Sequence, residues 1–146
     1  MQVDLSALAH SVAAEVQQEQ PDRKVEFVIQ DGLVAEGDQR LLQRVLANLI
    51  GNAWKYTSRH AAARIEFGLT DVAGKPAYFV RDDGAGFDME YATKLFVAFE
   101  RLHAPEEFPG NGIGLALAQR IIRRHGGTIW ADGVVEHGAT FYFRLA

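Results

Sequence analysis

Residues 41–57 read LLQRVLANLIGNAWKYT, and within them Leu42, Val45, Leu46, Leu49, Ile50 and Ala53 recur at helical spacing. This is the pattern of an amphipathic helix with one face committed to a core. At about 100° of rotation per residue, Asn48, Asn52 and Lys55 fall on one line along that helix, and Asn52 lies between Leu41 and Val45 at the edge of the apolar stripe. A buried amide without partners costs on the order of 1–3 kcal/mol. A helix used only for packing gains nothing from asparagines there, so the spacing predicts that something polar meets this face.

Upstream, residues 4–20 place Leu5, Leu8, Val12 and Val16 at helical spacing behind Asp4 as a cap, and Pro21 stops the run. Residues 24–30 and 33–36 flank Asp31-Gly32, a hairpin signal. Downstream, residues 64–70 alternate Ile65, Phe67 and Leu69 with polar side chains, and residues 76–82 form a second strand that runs into Asp82-Asp83-Gly84. Another hairpin is expected, turning near Gly74. Residues 91–99 read as a short helical piece and 101–111 as a loop. From Gly112, the residues Leu115, Ala118, Ile121, Ile122 and His125 make one face of a helix; Gln119, Arg120, Arg123 and Arg124 make an exposed one, and Gly126 stands at C′. Strands at 128–132 and 140–145 close the chain. Helices interleaved with hairpins predict an α/β two-layer sandwich, a mixed and largely antiparallel sheet with helices packed on one face.

With 146 residues, 48% of them apolar, the chain has enough material for one core and too little for two, so residues 1–146 are expected to form a single domain. A formal charge of −4 argues against a nucleic-acid partner held by bulk electrostatics. The absence of cysteine excludes disulfides and thiolate metal sites. No apolar run approaches the roughly 18 residues of a membrane span, and the first residues lack the pattern of a signal peptide. A cytoplasmic domain without membrane contact is the expectation.

Glycine is concentrated in Asp82-Asp83-Gly84-Ala85-Gly86, after a strand, and in Gly110-Asn111-Gly112-Ile113-Gly114, before a helix. Glycines at such junctions let backbone approach a ligand closely, and the free N–H groups of a helix's first turn suit an anion. Taken singly, each cluster is more commonly a tight turn or a helix entry. Neither is a Walker loop, because Gly-Lys occurs only as Gly74-Lys75-Pro76. Neither completes G-x-G-x-x-G, because the third glycine is replaced by Met89 or Leu115. The protein-kinase motifs H-R-D and D-F-G are absent as well.

In order and spacing, NLIGNAWKYT, DDGAGF, LFVAFERLH and GNGIGLALAQRIIRRHGGTIW resemble the N, G1, F and G2 boxes of the catalytic ATP-binding domain of bacterial sensor histidine kinases. That domain belongs to the GHKL superfamily, with gyrase, heat-shock chaperone and mismatch-repair ATPases, and its fold is the Bergerat ATP-binding fold. The resemblance covers residues 38–146, and FERLHAPEEFPGNGIGLA looks more narrowly like kinases with PAS or phytochrome-type sensors. It implies ATP and Mg²⁺ as cofactors. Asn52 matches the asparagine whose side-chain oxygen ligates Mg²⁺, a hard cation that accepts neutral oxygens when a triphosphate supplies the charge. Lys55 would meet a phosphate, and Tyr56 would pack against the adenine. Asp82 matches the carboxylate that accepts the adenine amino group and disfavours the guanine carbonyl, whereas Asp83 reads as a turn former. Gly84, Gly86, Gly110, Gly112, Ile113 and Gly114 would border the nucleotide, with Leu115 near the base and Arg101 reaching the γ-phosphate. Asn48, also on the nucleotide side, stands where hydrolysing relatives and anti-sigma-factor kinases usually keep a glutamate base.

The implied reaction is transfer of the γ-phosphoryl of ATP to a histidine. His10, in ALAHSVAAEV, lacks the context of a family acceptor and reads as a helix-surface residue. The expectation is therefore a catalytic domain whose partner is a separate histidine-bearing dimerisation domain and, indirectly, a response regulator. Another GHKL ATPase or serine kinase, and a non-catalytic ATP-sensing module, are the alternatives.

Overall fold

The computed structural model describes residues 1–58, 62–86, 89, 96 and 114–145. Among these residues three helices, α1 (Leu5–Glu19), α2 (Gln39–Tyr56) and α3 (Gly114–Arg124), pack on a mixed sheet, with α2 between the other two. The sheet has the order β2 (Val25–Ile29), β4 (Ala63–Val72), β5 (Lys75–Asp82), β7 (Gly138–Arg144), β6 (Thr128–Val134). Among the described residues only the β2–β4 pair of this sheet is parallel. This is the expected two-layer sandwich. No helix among the described residues is long and apolar enough to cross a membrane.

The apolar stripe of α2 is the middle of the core. Val45, Leu46 and Leu49 are fully buried and Leu42, Ile50 and Ala53 nearly so, against Leu5, Leu8 and Val12 of α1, Ala118 and Ile122 of α3, and Ile65, Phe67, Val80, Phe141 and Phe143 of the sheet. The alternation in β4 and β7 places these aromatic residues on the helix side. Caps fix the helix starts: Asp4 accepts from the amide of Ala7 at 2.9 Å, and Asp38 from that of Leu41 at 3.1 Å. His10 is exposed on α1, and Arg120, Arg123 and Arg124 are exposed on α3.

One expectation is corrected. The turn at Asp31-Gly32 forms, with Gly32 at φ 75°, but the strands on either side of it do not make a hairpin. β3 (Val34–Glu36) leaves the main sheet and pairs with β1 (Gln2–Asp4), a three-residue strand that periodicity does not reveal. The cause is the start of α1: Ser6 Oγ accepts the Leu33 amide at 2.9 Å and donates to the Gln30 carbonyl at 2.6 Å, while the Leu5 amide donates to the Leu33 carbonyl at 2.9 Å. The chain after the turn is thereby held by α1, and β2 is left to pair with β4. The other hairpin forms as expected, with Ala73 and Gly74 both at positive φ, 53° and 83°, between β4 and β5.

His125 has a structural task that its place on the helix face only hinted at. Its Nε2 accepts the Asp38 amide at 3.1 Å and its Nδ1 lies 2.8 Å from the Ile121 carbonyl, which makes Nδ1 the protonated nitrogen. The end of α3 is thus pinned to the start of α2. Gly37 leaves the room, since a Cβ there would lie 2.8 Å from the imidazole.

Candidate functional site

Four of the candidate residues, Asn48, Asn52, Lys55 and Tyr56, lie on α2, all of them half-buried. The Nδ2 of Asn48 is buried and has no hydrogen-bond partner among the described residues. Buried polar atoms are usually satisfied, so a partner for this amide is expected. Lys55 Nζ lies 5.7 Å from the centroid of the Tyr56 ring.

Asp82 is the last residue of β5 and points to the helix side, two residues after the buried Val80; it is only 7% exposed. Burial raises its carboxyl and Asp83 adds to the effect, while the backbone N–H groups of Gly84 and Ala139 oppose it, and the net result is a pKa pushed up to about 7. The Gly84 amide donates to Oδ1 at 2.9 Å. Asp82 therefore makes the local turn bond that the sequence assigned to Asp83. Asp83 instead reaches across to β4, where its Oδ1 accepts the Arg64 amide at 3.1 Å.

The loop after Asp82 is fitted to its surroundings by backbone contact. The Ala85 amide donates to the Tyr56 carbonyl at 3.0 Å, and the Ala85 carbonyl accepts from Glu136 at 2.7 Å. A Cβ on Gly84 would come within 2.4 Å of that Tyr56 carbonyl, and one on Gly86, at φ 64°, within 2.1 Å of the Val134 carbonyl. Helix end, strand end and the β6–β7 turn consequently meet at Asp82–Gly86. The sequence reading missed one member of this junction: Gly138, at φ 98°, would place a Cβ 2.1 Å from the Asp82 carbonyl. A glycine at a strand start reads as turn chemistry, and only the β5–β7 register, Asp82 opposite Ala139, shows what it lies against.

Gly114 is the first residue of α3, and Leu115 beside it is buried with the core. Arg101, Gly110, Asn111, Gly112 and Ile113 lie outside the described residues. Among the described residues no group of three or more His, Asp or Glu side chains could hold a metal ion. What α2 offers is the neutral amide of Asn52, and such a donor fits a Mg²⁺ ion whose anionic ligands come from a phosphate chain.

Comparison with known proteins gives this geometry a context. Residues 37–146 match the family described as histidine kinase-, DNA gyrase B-, and HSP90-like ATPase. Cyanobacterial phytochrome A of Nostoc sp. is 39% identical over 112 residues, 77% of this chain and 14% of that protein. The adaptive-response sensory kinase SasA of Trichormus variabilis is 39% identical over 124 residues, 84% of this chain and 31% of that protein. The chain spans less than a third of either relative. The solved catalytic domain of histidine kinase ThkA superposes with a TM-score of 0.77 at 25% identity, covering 98% of this chain and 94% of that one.

Proposed function

Since the chain belongs to the family of histidine kinase-, DNA gyrase B- and HSP90-like ATPases, we propose that it binds Mg-ATP and donates the γ-phosphoryl to a histidine. The acceptor lies on a separate dimerisation domain of a two-component sensor kinase, from which the phosphoryl passes to a response regulator. Residues 1–146 act in this as one catalytic domain. The observation that carries the reading is the buried Asp82 carboxyl, joined through the Ala85–Tyr56 backbone bond to the helix that presents Asn48, Asn52 and Lys55.

Each residue then has a task. Asp82 accepts the adenine amino group, and the Tyr56 ring packs on the base with Leu115 nearby. The Asn52 oxygen holds Mg²⁺, Asn48 gives its amide to the nucleotide side, and Lys55 neutralises a phosphate. Gly84, Gly86 and the stretch Gly110, Gly112, Ile113, Gly114 border the nucleotide, and Arg101 takes the γ-phosphate. Bound Mg²⁺ supplies further charge neutralisation on the triphosphate. Asn48 also limits the alternatives, because an amide cannot accept the proton of an attacking water as a glutamate does. The site is therefore suited to handing the phosphoryl on rather than to hydrolysis.

The test is to mix the chain with a histidine-bearing dimerisation domain and ATP labelled on the γ-phosphate. Acid-labile label on that domain is the expected result. Rapid release of inorganic phosphate without transfer would indicate a hydrolase, and binding without either outcome would indicate a sensing module.

A further inference from the structure

The last turn of α2 is gripped from two sides, and only one of them belongs to the nucleotide loops. The Ser58 amide, which would continue the helical ladder to Trp54, bonds instead to the Lys55 carbonyl at 3.2 Å. The Trp54 carbonyl is thus one of the orphan acceptors at a helix C-terminus. Arg23 fills it, with Nη1 donating to the Trp54 carbonyl at 2.6 Å and Nη2 donating to Thr57 Oγ1 at 2.9 Å. The guanidinium carbon lies 4.1 Å over the Trp54 ring, Phe27 stacks parallel to that ring, and the indole N–H donates to Gln20 Oε1 at 2.8 Å. Thr57 is fully buried and turns its own hydroxyl to the helix, 2.8 Å from the Ala53 carbonyl and 3.1 Å from the Trp54 carbonyl that Arg23 also binds.

Arg23 is itself held in place. The turn that follows α1 is closed by its amide on the Gln20 carbonyl at 3.1 Å, and Gln17 Nε2 donates to the Arg23 carbonyl at 3.1 Å. The planar fork is therefore presented ready-made to a helix end whose dipole favours a cation. Between Trp54 and Thr57, the two groups it binds, stand Lys55 and Tyr56. Tyr56 in turn passes its carbonyl to Ala85.

We propose that Arg23, which precedes the matched family span of residues 37–146, is a positioning residue for the nucleotide site: it fixes the terminal turn of α2, and through it Lys55, Tyr56 and the Asp82–Gly86 loop. The consequence for nucleotide affinity rests on the function proposed above, whereas the consequence for backbone order does not. The experiment accordingly has two readouts, taken on Arg23→Ala, on Arg23→Lys and on Leu8→Ala, a core truncation at the opposite end of α1. In amide hydrogen exchange, Arg23→Ala is expected to speed exchange at Thr57 and Ala85 by about tenfold or more while sparing β7, and Leu8→Ala to leave that local pattern unchanged. In calorimetry, Arg23→Ala is expected to lose about tenfold in Mg-ATP affinity, and Arg23→Lys, which reaches one acceptor and not both, to fall between it and the wild type. Methylguanidinium, and not methylammonium, restores affinity to Arg23→Ala. If Arg23→Ala fails to fold, Arg23→Lys carries both readouts. Wild-type exchange at Thr57 and Ala85 in the Arg23 variants, or an equal disturbance in Leu8→Ala, overturns the proposal. A wild-type chain that binds no ATP while the exchange result holds would overturn the functional reading and leave the positioning role standing.

Discussion

The carbonyl oxygen of Tyr56 accepts the amide of Ala85 at 3.0 Å, so the helix that carries Asn48, Asn52 and Lys55 is bonded directly to the loop that follows Asp82. Two ends of the candidate site, remote in sequence, meet in one junction. Gly84 lies on the same carbonyl, and a Cβ there would approach it to 2.4 Å. Backbone on both sides leaves little room to yield. Gly84→Ala is therefore expected to destabilise the fold by about 1–3 kcal/mol and to weaken ATP binding beyond that of a core variant of equal stability. Chemical denaturation and nucleotide titration of the same samples check both parts.

At Asp82 the proposed function is set against stability. Its carboxyl is raised from an ordinary 3.8 to about 7 in the fold, mainly by burial. A carboxyl raised in this way supports the nucleotide-free fold while protonated, and the support is lost as pH climbs from the unfolded value through the folded one. Asp82→Asn removes that dependence. The variant should be more stable than the wild type in the absence of nucleotide, by an amount that grows between about pH 4 and about pH 7 and then levels off. It should also lose its preference for adenine over guanine. Thermal melts across pH, with ATP and GTP titrations alongside, give the answer; a stability gap independent of pH would contradict the burial argument.

Asn52 is the proposed magnesium ligand. Asn52→Ala removes the neutral oxygen proposed to ligate the ion, and should leave a residual nucleotide affinity that no longer responds to Mg²⁺. ATP titrations with and without the metal decide it, and an unchanged magnesium dependence would exclude Asn52 as a ligand.

His125 gives a contrasting case, because it pins α3 to the other end of α2. His125→Ala should cost about 1 kcal/mol through the Asp38 amide bond it forfeits. Nucleotide affinity should change by less than about twofold, because the α2 start is remote in sequence from Asn52 and Lys55. Melting and titration of one preparation separate the two effects.

These cases also show where the sequence was legible. The spacing of Leu42 to Ala53 located α2 and its buried face, since a helix of that amphipathicity has one way to pack. Asn52 stood out because a polar group on an apolar stripe needs a reason, whereas Asp82, before glycines, reads as an ordinary turn residue and was singled out only by the resemblance of the motifs. Partner choice did not show. Asp31-Gly32 specified its own turn, yet Ser6 and Leu5, some 25 residues upstream, decided which strand the chain joined afterwards. Gly138 and Arg23 were silent for the same reason: one acts on a carbonyl in a neighbouring strand, the other on a helix end 31 residues away. Local periodicity carries no record of either contact.

The most direct measurement of the central claim is calorimetric titration of the chain with ATP, with and without Mg²⁺, and with GTP in place of ATP. Saturable ATP binding that strengthens with Mg²⁺ and is absent for GTP is the expected outcome. A titration without Mg²⁺-dependent ATP affinity would contradict the assignment of Asn52, Lys55 and Asp82 together.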